Sequence, residues 1–161
     1  MDGVASLIDK SLLQQTEREG EEPRLMMLET IREYGLECLT IGREVELTRQ
    51  AHAAYYLAFA EAADAGFWSP QKMRGEQVTW LERLEREHDN LRAAMQWVLE
   101  QEAAGHSIEL ALRLATALEW PWHALGHLSE GRSFLAKALA ASEAVVVPPH
   151  VRARADRKSV V

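Results

Sequence analysis

At 161 residues the chain has room for one domain of ordinary size, or one domain and part of another. A hydrophobic content of 47% beside 27% charged residues argues against disorder, and a net charge of −7 argues against non-specific nucleic-acid binding by the chain as a whole. The lone cysteine, Cys38, excludes an intrachain disulfide and a cysteine-based metal site, and suggests a reducing compartment, the cytoplasm. No apolar run approaches the roughly 20 residues that span a bilayer. MDGVASLIDKSLL at the start lacks the basic and long apolar regions of a signal peptide.

Taken in order, residues 2–10 carry Val4, Leu7 and Ile8 at helical spacing and predict a short helix. Leu12–Gln15 and Arg24–Leu28 read as two strands of a hairpin, with EREGEEP at Glu17–Pro23 as the turn. Helical period returns over Glu29–Thr40, where Ile31, Tyr34, Leu36 and Leu39 are apolar and Gly42 is a natural stop. Helix, hairpin, helix is the closing half of a winged-helix domain, whose first half this chain does not contain.

Beyond Glu44 no further strand is predicted. Glu44–Ala65 is an Ala-rich helix with Ala51, Tyr55, Ala58 and Ala62 on one side, interrupted by GFWSP at Gly66–Pro70. WLERLEREHDNLRAAMQW, Trp80–Trp97, is the stretch the chain is organised around. Leu81, Leu84, His88, Leu91, Met95 and Val98 recur at steps of three and four, so they share one face of a helix and must pack against other helices. A break is expected near His88–Asn90, with Asp89 or Asn90 capping a second helix that runs to about Ala104 and ends at Gly105. Ser107 is the expected cap of the next helix. There Ile108, Ala111, Ala115, Leu118 and Trp122 keep the rhythm, and Pro121 should kink or loosen the last turn. Gly126 turns the chain, and Leu128, Gly131, Leu135, Ala138 and Ser142 form the inner face of the following helix. VVVPP at Val145–Pro149 is a loop, and one more helix begins near Val151. Helix pairs joined by short loops, with small residues at their contacts, describe an α-solenoid.

Several of these segments resemble a bacterial family. SLLQQ…RLMMLETIREYGLECL is similar to the end of the winged-helix domain in STAND-class signalling ATPases, the nucleotide-switched relatives of apoptotic ATPases. HAAYYLAFAE, WLERLEREHDNLRAAMQWVLE and ALRLATALEWPWHALGHLSEGRSFLAKALA resemble the helical segment that follows it and leads into tetratricopeptide-like repeats. Many such proteins are LuxR-type or pathway-regulator transcriptional activators. The resemblance extends to about Ala155, and MLETIREY together with EHDNLRAA is a specific combination. It implies that the winged helix clamps a nucleotide domain in its resting state. Two departures matter. No G-x-x-x-x-G-K-[ST] loop occurs here to cradle a triphosphate, so the family's ATPase activity does not carry over. The chain also stops at RADRKSVV, where the family continues with further repeats, which suggests a fragment of a larger switch protein or a truncated open reading frame.

Candidate chemistry is sparse. The wing tip sets Glu17, Glu19, Glu21 and Glu22 against Arg18, a charge pattern that phosphates repel, so direct DNA binding is disfavoured. His123 and His127 stand four apart, but Gly126 and Pro121 interrupt the helix and no third ligand is obvious, so solvated histidines are expected rather than a metal site. Glu87, His88 and Asp89 are consecutive and point apart, with His88 expected as a hydrogen-bonded core histidine. Cys38 is expected beside Leu39 near the core and lacks an activating base. Nothing predicts an enzyme. Of the five tryptophans, Trp80 and Trp97 are expected in the core, while Trp120 and Trp122, with Phe134, are candidates to line a groove that takes a ligand or a partner peptide.

The sequence therefore predicts a mainly α chain: a winged-helix remnant over residues 1–43, then a tetratricopeptide-like array over 44–161, truncated at its C-terminal end. The function expected is a non-catalytic regulatory and interaction segment of a signalling ATPase or transcriptional regulator, with a free-standing adaptor as the alternative. No cofactor and no membrane are expected. The partner would be another protein or the rest of the parent chain, with a homodimer left open.

Overall fold

The computed structural model describes residues 2–16, 23–67, 74–101 and 105–159. The chain is mainly helical, with one small hairpin among the described residues, and its contacts divide it into Met1–Thr48 and Arg49–Val161.

In the first unit, α1 (Asp2–Asp9) leads to β1 (Gln14–Thr16), which pairs antiparallel with β2 (Arg24–Met26) in the register Gln14↔Met26, Gln15↔Leu25 and Thr16↔Arg24. The expected turn at Glu17–Pro23 falls, but for Pro23, outside the described residues. Then comes α2 (Glu29–Gly42), started by Glu29, which pairs with Arg32 one turn on. Gly42 proves to be the last helical residue rather than the stop. Arg43 takes the left-handed position at φ 58°, and Glu44 N–H closes the turn on Leu39 O at 2.8 Å. That conformation costs a non-glycine residue roughly 1–2 kcal/mol, which the closing hydrogen bonds offset. Cys38 is exposed, contrary to the expectation that it lies near the core. With no buried residue on α2, there is no core here for it to join.

α3 (Val45–Phe67) carries the chain into the second unit. Its buried side is Ala53, Tyr56, Leu57, Ala60, Ala63 and Phe67, whereas Ala51, Tyr55, Ala58 and Ala62 face solvent. In a helix this rich in alanine, small residues line both sides, and the larger Leu57 and Phe67 decide which is covered.

α4 (Arg74–Arg86) and α5 (His88–Glu100) meet at Glu87, one residue before the expected break. Neither Asp89 nor Asn90 is the N-cap. Glu87 is, with no side-chain cap bond, and Asn90 instead turns its amide back onto the Glu87 carboxylate at 2.7 Å. The same carboxylate oxygen accepts the Tyr56 hydroxyl of α3 at 2.6 Å, so the break is pinned by a neighbouring helix. Leu84, Leu91, Met95 and Val98 are buried, as the stripe requires, and Leu81 and His88 are half-buried.

α6 (Gly105–Leu125) is the central helix of this unit and contacts α4, α5, α7 and α8. Gly105 opens it rather than closing α5, and Ser107 sits in its first turn instead of capping it. Besides the expected Ile108, Ala111, Ala115, Leu118 and Trp122, it buries Leu112, Leu114, Thr116 and Ala117, so it is covered nearly all round. The helix runs through Pro121 to Leu125; the proline ring is buried and offers no amide to the Ala117 carbonyl.

Gly126 turns the chain at φ 85°, and α7 (Leu128–Ala141) returns with Gly131, Phe134, Leu135 and Ala138 buried. Leu128, expected inside, is exposed because it begins the helix at the rim. α8 (Pro149–Ser159) closes the described chain and contributes Val151 and Ala155 to the core. Asp64 of α3 pairs with Arg154 of α8, and Glu61 holds Arg113 of α6 through two hydrogen bonds of 2.8 and 2.9 Å.

Candidate functional site

The polar cluster that the sequence did not assemble lies in the second unit, where the end of α4 and start of α5 meet the start of α7. Backbone geometry places it. Gly126 occupies the left-handed position after α6, and His127 N–H reaches back to Trp122 O at 2.8 Å, five residues earlier, which ends α6 in a Schellman-type turn. His127 then becomes the N-cap of α7, and Gly131 N–H bonds its carbonyl at 3.0 Å. Glu130 follows in the first turn, where the helix dipole favours a carboxylate.

The break at Glu87 brings His88 to the same corner, as the first residue of α5. The rings of His88 and His127 stack with centroids 4.0 Å apart and planes 20° from parallel. Each ring then finds a carboxylate: His88 Nε2 lies 3.2 Å from Glu130 Oε2, and His127 Nε2 lies 3.0 Å from Glu85 Oε2. Arg92, one turn along α5, grips Glu130 with both arms of its fork, Nε to Oε1 at 2.6 Å and Nη2 to Oε2 at 3.1 Å. The Arg92 hydrogen bond holds the Glu130 carboxyl below the usual carboxylate range, against the opposing effect of partial burial, and its charge and those of the two histidines add to the lowering. In return Arg92 is pushed up by Glu130. Glu130 is therefore ionised at neutral pH and tied to two neighbours, Arg92 and His88.

This corner clasps α4, α5 and α7 together. His88, His127 and Glu130 each offer one ligand atom, all within 4.8 Å of one another, a set of the kind that holds a metal ion. His123 does not join them and is exposed on α6 as expected, whereas His127, expected to be solvated, is half-buried between His88 and Glu85. Glu87, His88 and Asp89 diverge as expected, Glu87 to Tyr56 and Asn90, His88 to Glu130, and Asp89 to solvent. Sequence reasoning missed the cluster because its members lie about forty residues apart. The one available hint was His88, a polar residue set on an apolar stripe.

The three residues expected to line a groove are placed as follows. Trp122 and Phe134 face one another inside the helical unit, their rings 5.8 Å apart and 23° from parallel, and only 4% and 8% of their surfaces are exposed. Little of either ring is left for an outside partner. Trp120 points elsewhere, half-buried against Phe67 with centroids 4.5 Å apart. Trp80 and Trp97 are partly buried against the core, and Trp68 lies outside the described residues. Trp80 packs on Phe59 of α3 and carries the Arg83 guanidinium 4.9 Å above its ring.

Comparison with known proteins finds similarity to proteins named as transcriptional regulators. The chain is 35% identical over 157 residues to the "Putative HTH-type transcriptional regulator Rv0890c" of Mycobacterium tuberculosis strain H37Rv, and to its counterparts Mb0914c of Mycobacterium bovis and MT0914 of Mycobacterium tuberculosis strain CDC 1551. The matched stretch is 96% of this chain but 16% of each relative, so the chain spans about a sixth of the length of the curated relatives it matches. No family model and no solved structure matches it. No helix among the described residues is long and apolar enough to cross a membrane.

Proposed function

We propose that this chain is a non-catalytic regulatory and protein-interaction segment of a bacterial transcriptional regulator of the STAND signalling type. Its helical array, tetratricopeptide-like in plan, receives a ligand or a partner protein and relays that event to a nucleotide-binding domain outside this chain. The observation that carries this reading is the match of 96% of the chain to proteins named as HTH-type transcriptional regulators, over 16% of their length. The structure adds support of a physical kind. The second unit spends its side chains on packing and interhelical ion pairs, and its titratable cluster is tied up in those pairs.

In this reading the chain works in the cytoplasm as part of a larger regulator and makes its contacts with protein, not with DNA. Sequencing the locus across both ends of the reading frame, then profiling transcripts in a strain carrying Leu91→Asp, tests it. A phosphate-binding loop in frame upstream, with a defined set of transcripts altered by the substitution, is the expected result. Unchanged transcripts in cells where the array is shown to be unfolded would refute a regulatory role. The alternative, a free-standing helical adaptor, predicts stop codons on both sides and a partner captured by the purified chain.

A further inference from the structure

We propose that His88, His127 and Glu130 form a binding site for a divalent transition-metal ion of the zinc class, with Arg92 as the cation that occupies the carboxylate when the metal is absent. Two imidazoles and a carboxylate are the donor set that such ions prefer over magnesium or calcium, which favour oxygen.

Two of the three donors already stand at the spacing the ion requires. Tetrahedral zinc with bonds of about 2.0–2.1 Å holds its ligand atoms roughly 3.3–3.4 Å apart. His88 Nε2 and Glu130 Oε2 already stand 3.2 Å apart, and the third donor lies within 4.8 Å of both. His127 must rotate out of its stack on His88, because nearly parallel rings cannot both aim their lone pairs at one ion, and away from Glu85, whose side chain is 52% exposed and releases it at small cost. Glu85 or a water then supplies the fourth ligand.

The donors stand on helix starts fixed by packing: His88 follows the pinned break at Glu87, and His127 and Glu130 follow the Gly126 turn. All three are half-buried, so the ion would be partly shielded from competing water.

Arg92 is the competitor. Its guanidinium balances the Glu130 charge through the two hydrogen bonds already described, but 49% of its side chain is exposed, so it can swing out to solvent when a metal takes its place. This separates a built site from adventitious histidine binding. Removing Arg92 should strengthen metal binding, because it deletes a competing cation without touching a donor.

The test uses the full chain purified without a histidine tag and titrated with cobalt(II), read by its visible absorption, and with zinc by calorimetry. One ion per chain is expected. Glu130→Gln, His88→Gln and His127→Gln should each weaken binding by about tenfold or more, while circular dichroism confirms that each remains helical. Arg92→Ala should tighten it, a gain that misfolding cannot produce. His123→Ala, which changes an exposed histidine four residues from His127, should leave the affinity unchanged. No binding by the parent chain, binding that survives His127→Gln and Glu130→Gln, or loss on His123→Ala overturns the site.

Discussion

The two units of this chain treat their apolar residues in opposite ways. Among the described residues none before Ala53 is buried, and Leu25, Met26, Leu28, Tyr34 and Ile41 are left between 44% and 83% exposed. From Ala53 onward a continuous core gathers side chains from α3 through α8, with Leu91, Met95, Leu112, Leu114 and Leu118 at no more than 1% exposure. Both units carry amphipathic periodicity, so pattern alone does not build a core. Among the described residues the second unit has six helices, of which one, α6, can be surrounded. The first has a hairpin of three-residue strands and two helices, too few layers to cover an apolar face. Its stability is expected to be the lower of the two.

Substitutions can break that contrast. The largest effect belongs to Leu91→Asp, which buries an unpaired carboxylate at a site 1% exposed. It should cost more than about 4 kcal/mol and abolish the thermal transition of the helical unit, as followed by circular dichroism. A retained melting temperature would mean that the buried face is wrongly assigned.

Gly131→Ala comes next. A Cβ there would stand 2.4 Å from the Trp122 ring, well inside contact distance, so α7 must move away from α6. A loss of roughly 1–3 kcal/mol in denaturant unfolding is expected. Gly126→Ala tests a different cause at the same corner, because its added methyl meets nothing within 4 Å and only the φ of 85° resists it. A smaller loss, about 1 kcal/mol, is expected there.

A pH effect follows at His52 on α3, whose ring lies 4.7 Å from that of Tyr56. Burial holds its pKa below the ordinary value, partly offset by the Glu87 carboxylate. A depressed folded-state value means that neutral His52 favours the fold at high pH. That contribution falls away as the pH drops below the unfolded value of about 6.5 towards the lower folded one. His52→Gln should flatten the decline in melting temperature between about pH 7 and pH 5, and an unaltered slope would remove His52 from the account.

The smallest effect is expected in the first unit. Ile41→Ser, at a position 83% exposed, should change stability by less than about 0.5 kcal/mol in this chain. A large loss on that substitution would show that the first unit hides a core of its own.

Much of the second unit was legible in advance because its signals are local. The stripe Leu84, Leu91, Met95 and Val98 and the face Ile108, Ala111, Ala115, Leu118 and Trp122 follow from a period of 3.6 residues, and both are buried. Where the period was ambiguous, the reading failed. In α3 alanines recur on every side, so Ala51, Ala58 and Ala62 gave no reliable face. Glycines were ambiguous too: Gly42 and Gly105 read as stops, yet one is the last residue of a helix and the other the first. The loss of conformational freedom that makes glycine a poor helix former does not say on which side of it a helix lies.

By itself the sequence determined the helical class of this chain, the hairpin near its start and the inward faces of α5, α6 and α7. Those depend on contacts and dihedral preferences within a few residues. Only the tertiary structure decided that His88 would stack on His127 rather than act with Asp89, and that Glu130 would serve both a histidine and Arg92. It also decided that Trp122 and Phe134 would turn inward on each other. Each of those pairings joins residues brought together by how whole helices pack, and the energy that selects one packing is spread over the entire core.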